Sequence, residues 1–400
     1  MKKIGLFLGT QPSAGGAFQY CQAMLEAFTS LPMSEFTKVI VFSCDDWREK
    51  LVEFKIPNQS IENTLWGKFF EKILNLINLP IKWDRRMYAL FHPIARVLLR
   101  QKCDLWIFPA AEPWSYQIPV CALVTIYDLM HRYERRFPEI SANGVFEWRE
   151  KHYSKMSKSV NGIFVDSEVS RLQLIESYGR DPSSIYILPY IAPKYIYNEL
   201  TPVGFDQRYK GLGKYIFYPA QFWEHKNHKG LIQAVGLLKE KYPDLKLVFV
   251  GSKKNGYLST FKLVKQLNVS ENIKFLGYVP DSDMSQLYRR SQGMIMPTFL
   301  GPTNIPPLEA NAVGCPLAVS DVYAMPEQIG NAAIYFNPSS VQGIADAIEK
   351  LWTDDDLCSK LRERGLERNS QHLQFHFNEI FIKAVRIVQP EVHRLSRELS

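Results

Sequence analysis

Residues 3–28 read KIGLFLGTQPSAGGAFQYCQAMLEAF and contain the clearest architectural signal in the chain. Mostly apolar residues fill positions 3–8, small residues follow as far as Gly16, and apolar side chains then recur at helical spacing over 17–28. A buried strand, a glycine-containing loop and a helix in this order open a doubly wound α/β domain. The stretch predicts a parallel sheet with helices on its faces.

The second half of the chain repeats this alternation after three prolines between positions 189 and 202. Short apolar strands that alternate with helical segments indicate mostly parallel sheets, and 400 residues exceed what one hydrophobic core usually supports. We predict an α/β fold with two Rossmann-like domains, at 1–200 and 201–375. We expect a final helical segment, 376–400, to pack back on the first domain.

The composition is that of an ordinary globular protein, with 46% hydrophobic and 22% charged residues, which argues against disordered and fibrous classes. The formal net charge of +7 is small for 400 residues and is not concentrated in a basic stripe, so no nucleic-acid partner is expected. A positive excess of this size favours weak attraction to anionic membrane surfaces or phosphate-bearing substrates.

The six cysteines are scattered and form no C-x-x-C pair, which is typical of reduced thiols in the cytoplasm. The apolar run at the N-terminus is short and ends at Thr10 and Gln11, so we interpret it as a strand rather than a signal peptide. No stretch approaches about 18 consecutive apolar residues, and no transmembrane helix is predicted. The predicted location is the cytoplasm, with peripheral contact to the inner face of the membrane as an option.

Residues 64–100 include a segment in which apolar side chains recur at helical spacing with lysines between them. The apolar positions are Trp66, Phe69, Phe70, Ile73, Leu76 and Ile77. Two interpretations stay open: this helix contacts a membrane surface or lipid-linked acceptor, or it packs on its own domain.

Gly15 and Gly16 open the first helix, where absent side chains let a ligand approach the backbone and free N–H groups can bind a phosphate or hydroxyl. The pattern is neither the G-x-G-x-x-G fingerprint nor a P-loop. NAD and ATP chemistry has little support, and no cofactor is predicted.

The segment from Glu224 to His228 places cationic and hydrogen-bonding side chains at the start of a helix, just after a strand. Lys226 can neutralise a diphosphate there, although such a segment can equally be a solvated helix start. His225 and His228 have a spacing that a metal could use, but no carboxylate pattern accompanies them, so no metal site is predicted.

Residues 299–310, FLGPTNIPPLEA, hold the densest group of candidate site residues. A strand ends here, a loop of glycine and proline follows, and a helix begins near Pro307, a residue suited to a first helical turn. Backbone N–H groups at this helix end suit a diphosphate, and Glu309 lies where its carboxylate can reach a ribose diol. The alternative is that Glu309 only stabilises the helix dipole.

The second half resembles glycosyltransferase family 4, a group of retaining enzymes of GT-B fold. The resemblance rests on motifs in the family's order and spacing, namely YPAQ at 218–221, HKN at 225–227, NIKFLGYVP at 272–280, PPLEA at 306–310, GCP at 314–316, SD at 320–321 and PE at 326–327. The first half matches more loosely. The resemblance implies two Rossmann-like domains that face each other across a cleft, with the donor nucleotide on the second and the acceptor on the first.

The resemblance also implies roles for individual residues. Lys226 would contact the donor diphosphate and take part in catalysis, and Glu309 would hydrogen-bond the donor ribose. Tyr278 and Val279 would lie beside the base, and residues 303–305 would present backbone amides to the phosphates and transferred sugar. The full set of further predicted donor-binding residues is Gly15, Gly16, Gln221, Tyr278, Val279, Thr303, Asn304 and Ile305.

Three positions depart from the family pattern. Gly301 stands where many members carry a glutamate, Gln221 stands where many have arginine or serine, and the usual His-Asp pair reads Tyr127-Asp128. These departures leave the choice of donor open. Asp128 and His131 are our candidates for positioning the sugar or acceptor during catalysis, although His131 can equally be structural.

The resemblance implies a retaining hexosyltransferase that uses a GDP- or UDP-hexose, with mannose as one candidate sugar, and that needs no metal and no protein nucleophile. The family favours a glycan or lipid-linked acceptor in the synthesis of cell-surface polysaccharide such as lipopolysaccharide. Two alternatives stay open: another GT-B enzyme such as a sugar-nucleotide epimerase, and a degenerate protein that binds a nucleotide sugar without catalysis.

Overall fold

The computed structural model describes residues 1–77 and 79–388, and over this range the chain divides into two compact units. Unit one consists of residues 1–129, 147–189 and 374–388, and unit two of residues 130–146 and 190–373. The chain thus passes from one unit to the other more than once. Of the predicted C-terminal segment 376–400, the part from residue 389 onward lies outside the described residues.

Unit one contains a parallel sheet. Its strands are β1 (Lys2–Leu8), β2 (Phe36–Phe42), β3 (Asn58–Ser60), β4 (Leu105–Phe108), β5 (Ala122–Thr125), β6 (Gly162–Val165) and β7 (Ile185–Ile187). They lie in the order β3-β2-β1-β4-β5-β6-β7, and each neighbouring pair is parallel. The apolar run that opens the chain forms β1, whose residues from Ile4 to Leu8 are buried. The parallel sheet predicted from this run is confirmed.

Helices, numbered in chain order, flank this sheet. Those of unit one are α1 (Gly16–Thr29), α2 (Asp46–Leu51), α3 (Leu65–Ile77), α4 (Ile81–Phe91), α5 (Pro93–Arg100), α6 (Trp114–Gln117), most of α9 (Val145–Ser159), α10 (Glu168–Tyr178) and α19 (Gln374–Ile387). The last of these packs against α1. The Phe377 ring lies 6.0 Å from the Tyr20 ring, and Gln374 Nε2 donates to the Ala23 carbonyl at 3.1 Å.

Unit two contains a second parallel sheet. Its strands are β8 (Ile216–Pro219), β9 (Leu247–Val250), β10 (Ile273–Gly277), β11 (Gly293–Met296), β12 (Leu317–Ser320) and β13 (Ile334–Phe336). Their order is β10-β9-β8-β11-β12-β13, with parallel pairing throughout. Counted within the unit, this is the 3-2-1-4-5-6 order of a doubly wound nucleotide-binding sheet. The prediction of a second α/β unit is confirmed.

Unit two also contains helices, most of which follow its strands along the chain. They are α7 (Met130–Tyr133), α8 (Pro138–Ser141), α11 (Phe205–Arg208), α12 (His228–Leu238), α13 (Tyr257–Gln266), α14 (Asp281–Arg289), α15 (Ile305–Ala312), α16 (Met325–Ile329), α17 (Val341–Thr353) and α18 (Asp355–Ser370). Strands β8, β9, β11 and β12 are buried along their whole length. Near-continuous apolar strands are what a sheet covered on both faces requires.

Residues 130–146, here called the inserted segment, belong to unit two although the residues on both sides belong to unit one. Met130, Phe137 and Ile140 of this segment form a small buried cluster with Leu300. The inserted segment therefore packs close to the loop that follows β11.

The amphipathic segment predicted at residues 66–77 forms α3, and its two faces differ. Phe70 and Leu74 are buried, whereas Trp66 and Leu76 are 56% and 85% exposed. One face packs on unit one as the ordinary interpretation expects, and the other stays apolar and exposed. Among the described residues, no helix has both the length and the apolar character needed to cross a bilayer.

Candidate functional site

The strand order of unit two determines where a ligand can bind. β8 and β11 are neighbours, and the chain continues from them toward opposite edges of the sheet. Such a switch point leaves a crevice beyond the carboxyl ends of the two strands. Residues 220–227 follow β8 and residues 297–304 follow β11. Both groups of predicted site residues therefore lie where this fold binds its ligands.

Lys226 ends a short 3₁₀ helix formed by Glu224–Lys226. Asn227 follows with a φ of 56° and caps α12, because its Oδ1 accepts the Gly230 N–H at 3.2 Å. The Lys226 ammonium donates to Asn304 Oδ1 at 2.9 Å. The structure thus brings together two predicted donor-binding residues that are 78 positions apart in the sequence.

The start of α15 offers fewer N–H donors than an ordinary helix end. Pro306 and Pro307 have no N–H group, and the Asn304 N–H donates to Gln328 Oε1 at 3.0 Å. Gln328 Nε2 also donates to the Asn304 carbonyl at 2.7 Å, so this buried side chain fixes the Asn304 backbone. The amide predicted to face a phosphate is engaged within the protein here. Positive charge at this helix end therefore depends strongly on Lys226.

Glu309 lies on α15 and is only 4% exposed. Its Oε2 accepts the Tyr288 hydroxyl at 2.5 Å, and its Oε1 accepts the Tyr195 hydroxyl. Burial raises the pKa of Glu309 above its ordinary value, although the two hydroxyls act in the opposite direction. Each carboxylate oxygen has two acceptor positions. The group therefore keeps capacity for further hydroxyl donors.

Gly301, one of the three departures, has a φ of 92°, a region that glycine adopts without strain. A Cβ at this position would lie 3.0 Å from Asn304 Nδ2 and 3.0 Å from the Thr303 carbonyl. The missing glutamate therefore has a structural reason, because the loop turns in a conformation that a side chain would strain.

The other predicted donor-binding residues of unit two follow the carboxyl ends of β8, β10 and β11. Gln221 Oε1 accepts a hydrogen bond from an indole two residues on, at 2.9 Å. Tyr278 is 80% exposed, whereas Val279 is buried. Thr303, in the loop after β11, and Ile305, the first residue of α15, are both buried. All of these residues lie at the same edge of the sheet as Lys226.

Gly15 and Gly16 lie at the corresponding edge of the sheet in unit one. Gly15 has a φ of 61° and directly precedes α1, which begins at Gly16. A short 3₁₀ turn, Pro12–Ala14, lies between β1 and these glycines. The predicted sequence of strand, loop and helix is present, and its loop is exposed.

Asp128 and His131 have different surroundings. Asp128 Oδ1 lies 2.5 Å from Arg149 Nη2 within unit one. Burial alone would lower the pKa of Arg149, but the Asp128 carboxylate more than offsets this and raises it. His131 lies in α7 of unit two, fully buried, with its ring 5.7 Å from the Phe146 ring. Burial of this kind fits the structural alternative for His131 as well as a functional role.

Sequence reasoning missed Glu139 of the inserted segment. Its Oε1 lies 2.6 Å from His225 Nδ1 and also accepts the His225 N–H at 3.0 Å. Its Oε2 accepts Asn255 Nδ2 at 2.7 Å. Burial acts to raise the pKa of Glu139, but these hydrogen bonds lower it to about 2. No local signal marks this residue, because its partners lie 86 and 116 positions away.

The two histidines with metal-like spacing have separate roles. His225 pairs with the Glu139 carboxylate. His228 is buried, and its ring stacks on the Phe222 ring with the two ring centres 4.2 Å apart. Burial lowers the pKa of His228 to about 3. Within the described ranges, no group of three histidine, cysteine, aspartate or glutamate side chains is placed to hold a metal ion.

Comparison with known proteins agrees with this geometry. Residues 206–368 match the family described as glycosyl transferases group 1. The chain is a glycosyltransferase. The matched residues span β8 to β13 and include Lys226, Asn304 and Glu309. The resemblance to family 4 inferred from the motifs is confirmed.

Two curated relatives of the glycosyltransferase carry related names. It is 27% identical over 293 residues to O-antigen chain mannosyltransferase B of Escherichia coli. This alignment covers 68% of this chain and 74% of the relative. It is 27% identical over 165 residues to O-antigen chain mannosyltransferase RfbU of Salmonella typhimurium. The second alignment covers 41% of this chain and 46% of that relative.

Solved structures share the fold of the glycosyltransferase at low sequence identity. Anabaena Alr3699/HepE in complex with UDP and glucose has a TM-score of 0.73 and 14% identity, over 96% of this chain and all of that one. Sucrose-phosphate synthase from Thermosynechococcus elongatus has a TM-score of 0.68 and 14% identity, over 100% and 99% of the two chains. The predicted GT-B fold class, with two Rossmann-like domains, is confirmed.

Proposed function

We propose that the glycosyltransferase moves a hexose from a nucleotide-sugar donor to a glycan or lipid-linked acceptor. The observation that carries the proposal is the contact of Lys226 with Asn304 at the start of α15, with the buried Glu309 on the same helix. A donor of this kind needs a cation at its diphosphate and an acceptor for its ribose hydroxyls. These residues offer both.

The Lys226 ammonium is proposed to stabilise the negative charge that develops on the leaving diphosphate. Groups already oriented toward such charge usually supply the largest part of enzymatic rate enhancement. An ordinary helix end offers four free amide N–H groups, but two prolines and Gln328 reduce this number at α15. We therefore expect Lys226 to supply a larger share of the stabilisation of the leaving diphosphate than it would beside an ordinary helix end.

The remaining site assignments rest on the resemblance to family 4 and stay predictions. Glu309 binds the ribose, Tyr278 and Val279 adjoin the base, and Asp128 and His131 position the sugar or acceptor. The residues assigned to the phosphates and transferred sugar are Gly15, Gly16, Gln221, Thr303, Asn304 and Ile305. In this proposal the anomeric configuration of the donor is retained in the product.

The names of similar proteins support a narrower choice of substrates. The two O-antigen mannosyltransferases favour mannose as the sugar and a cell-surface polysaccharide as the product. The complex of Alr3699/HepE with UDP and glucose keeps a UDP-hexose as an alternative to a GDP-hexose. The location of the protein in the cytoplasm stays a prediction, based on the scattered cysteines.

A donor panel tests the proposal. Wild-type protein is incubated with GDP-mannose, UDP-glucose and other GDP- and UDP-hexoses, with an O-antigen-type oligosaccharide as acceptor. We expect transfer from one donor. NMR of the product should show that the transferred sugar keeps the anomeric configuration that it had in the donor. Consumption of no donor would contradict the proposal, and conversion of a nucleotide sugar without any transfer would favour the epimerase alternative.

Lys226→Ala should lower kcat/KM at least about tenfold, since a charge-assisted hydrogen bond is worth ~1.5–3 kcal/mol. Lys229→Ala is the control, because Lys229 Nζ pairs with Glu224 at 2.9 Å on the surface of the same segment. Its kcat/KM should stay within about twofold of wild type, as expected for a surface ion pair. Equal losses in both variants would refute the assigned role of Lys226.

We also propose that α3 and α4 contact an anionic membrane surface. Large apolar side chains are exposed along both helices, at Leu65, Trp66, Phe69, Ile73, Leu76, Ile77, Trp83, Leu90 and Phe91. Exposed large apolar side chains in such number usually mark an interaction site. Tryptophan and phenylalanine suit the boundary between headgroups and acyl chains.

The charges around this face are complementary to an anionic surface. Between residues 64 and 91 the exposed charged side chains are Lys68, Lys72, Lys82 and Arg86. Both acids in the range turn inward: Glu71 Oε1 lies 3.1 Å from His92 Nε2, and the buried Asp84 lies 3.9 Å from Lys155 Nζ. Exposed cations near an apolar face strengthen binding to anionic lipids.

Vesicle co-sedimentation tests this contact. The protein should bind phosphatidylglycerol vesicles more strongly than phosphatidylcholine vesicles, and added salt should weaken binding. The double variant Trp66→Ser and Phe69→Ser should lose most binding, whereas Leu258→Ser, at a still more exposed leucine of α13, should not. Equal binding to both lipids, or unchanged binding by the double variant, would refute the proposal.

A further inference from the structure

A polar cavity of about 460 Å³ lies in unit two, beyond the carboxyl ends of β11, β12 and β13. Its volume falls within the range of small-molecule sites. The side chains that matter for its chemistry are Glu134, Arg136, Phe299, Asp321, Tyr335 and Asn337. Strand ends supply four of them, and the inserted segment supplies the other two.

One wall of the cavity is a fixed, charge-balanced group. Arg136 Nε donates to Glu134 Oε2 at 2.9 Å, and the guanidinium lies 4.4 Å from the centre of the Phe299 ring. Tyr323 also donates to Glu134 Oε1 at 2.9 Å. The arginine and glutamate charges therefore compensate each other, and an anionic ligand finds no spare cation on this wall.

The other lining residues add one negative charge and several polar groups. Asp321 is exposed, and among the described residues no side chain donates to its carboxylate. Tyr335 and Asn337 also line the cavity. The Tyr335 hydroxyl donates to the Gly330 carbonyl at 2.6 Å, and Asn337 Oδ1 accepts the Ser339 N–H at 2.9 Å, which leaves the Asn337 Nδ2 group as a donor. A cavity with one excess negative charge disfavours phosphates and carboxylates. Hydrogen-bond acceptors beside aromatic rings suit a neutral ring that carries several hydroxyls.

The cavity adjoins the proposed donor-binding residues. Phe299 lies in the loop after β11, whose last residue, Asn304, accepts a hydrogen bond from the Lys226 ammonium. Asn227, the neighbour of that lysine, donates from Nδ2 to the carbonyl of Pro338 at 2.8 Å, and Pro338 also lines the cavity. A ligand held here lies next to the elements that bind the donor.

We propose that this cavity is a subsite for a neutral hexose unit of the acceptor glycan. The inference rests on the proposed function, because it takes the acceptor to be a glycan. The resemblance to family 4 assigns the acceptor to the first domain, and the cavity adds to this a contact for one of its sugar units on unit two. It also gives a reason for selectivity toward uncharged sugars. Asp321 accepts hydrogen bonds from the sugar hydroxyls, Asn337 donates to them from its side-chain amide, and the Tyr335 ring contacts the apolar face of the sugar.

Calorimetric and NMR titration with mannotriose, with and without GDP or UDP, tests the subsite. Wild-type protein should bind the trisaccharide, and Asp321→Asn should weaken binding about tenfold, the usual effect of losing a charged acceptor. Asn337→Ala should weaken it as well. A trisaccharide ending in a glucuronate should bind more weakly than mannotriose to wild type, because its carboxylate meets Asp321.

Two comparisons separate this inference from the function on which it rests. Asp321→Asn should leave the affinity for nucleoside diphosphate within about twofold of wild type. The same holds for the control Asp346→Asn, a change at an exposed acid on α17 that accepts a hydrogen bond from Gln342. Nucleotide binding without any trisaccharide binding overturns the subsite alone. Equal trisaccharide affinity in wild type and Asp321→Asn also overturns it. Loss of both ligands from the wild type overturns the proposed function too.

Discussion

Among single side chains, Glu309 depends most on residues that are distant in sequence. Tyr288 and Tyr195 lie 21 and 114 positions before it, and each donates to one carboxylate oxygen. A buried carboxylate without such donors is costly. The two tyrosines therefore make it possible for an acidic group to stand at a buried position beside the proposed donor pocket.

Tyr288→Phe should destabilise the protein by about 1–3 kcal/mol, because it removes a donor from a buried carboxylate. Tyr242→Phe is the matched control: Tyr242 donates to Glu349 at 2.7 Å, and that carboxylate is partly exposed to water. The control should lose less than about 1 kcal/mol. Urea unfolding of both variants measures the difference, and equal losses would contradict the account of Glu309.

Glu139 should give the stability of unit two a measurable pH dependence. Its pKa is lowered from 4.5 to about 2 in the folded protein, so folding favours the ionised carboxylate. This contribution is fully present above about pH 5 and is lost as the pH falls toward 2. Glu139→Gln should therefore cost about 1–2 kcal/mol at pH 7, after allowance for solvent screening, and less at pH 3.5.

Thermal unfolding at both pH values measures this effect. Glu363→Gln, a change at an exposed glutamate of α18, provides the control and should show little difference from wild type at either pH. A gap between Glu139→Gln and wild type that stays constant from pH 7 to pH 3.5 would refute the assigned role of the carboxylate.

Among the structural elements, the loop before α15 is fixed by its neighbours rather than by its own helix. Gln328 of α16 holds both backbone groups of Asn304, and Lys226 holds its side chain. Two prolines at the helix start would otherwise leave this turn with few internal hydrogen bonds. The geometry of the proposed phosphate site therefore depends on α16.

Gln328→Leu should destabilise the protein by about 2–3 kcal/mol, since a buried N–H and a buried carbonyl both lose their partner. It should also weaken nucleoside diphosphate binding, because Asn304 is no longer fixed. Gln342→Leu is the control, since Gln342 is exposed and its side chain bonds to the exposed Asp346 on its own helix. Chemical denaturation compares the two, and similar stabilities would contradict the importance of α16.

Gly301→Ala tests the conformation of the same loop. Gly211 has a comparable φ of 85° but nothing within 4 Å of an added Cβ, whereas Gly301 has two atoms at 3.0 Å. Both variants should lower the free energy of unfolding by about 1–2 kcal/mol, because alanine must adopt a positive φ at each position. Gly301→Ala should lose more, by about 1 kcal/mol, because its neighbours must also move. If denaturation shows Gly211→Ala to be the more costly change, the described loop is wrong.

Over the whole molecule, the two parallel sheets could be predicted because each strand and helix leaves a local pattern in the sequence. The opening stretch 3–28 and the loop at 299–310 are examples, and family motifs added the identity of the second unit. The placement of the inserted segment in unit two could not be predicted. It depends on Glu139 and on apolar contacts with Leu300, which join residues far apart in sequence.

The candidate site divides in the same way. Lys226, Asn304 and Glu309 could be selected from motif order and from their positions after strands. Tyr195, Tyr288 and Gln328 could not, because partners of a buried group carry no spacing signal of their own. The roles of Gly15, Gly16, Asp128 and His131 stay predictions.

Isothermal titration of UDP and GDP into wild-type protein and Lys226→Ala measures the proposed diphosphate pocket directly. One of the two nucleotides should bind the wild type, with a Kd at least about tenfold weaker in Lys226→Ala and unchanged in Lys229→Ala. Absence of binding heat for both nucleotides across several temperatures in folded wild-type protein, or an equal Kd in Lys226→Ala, would contradict the account.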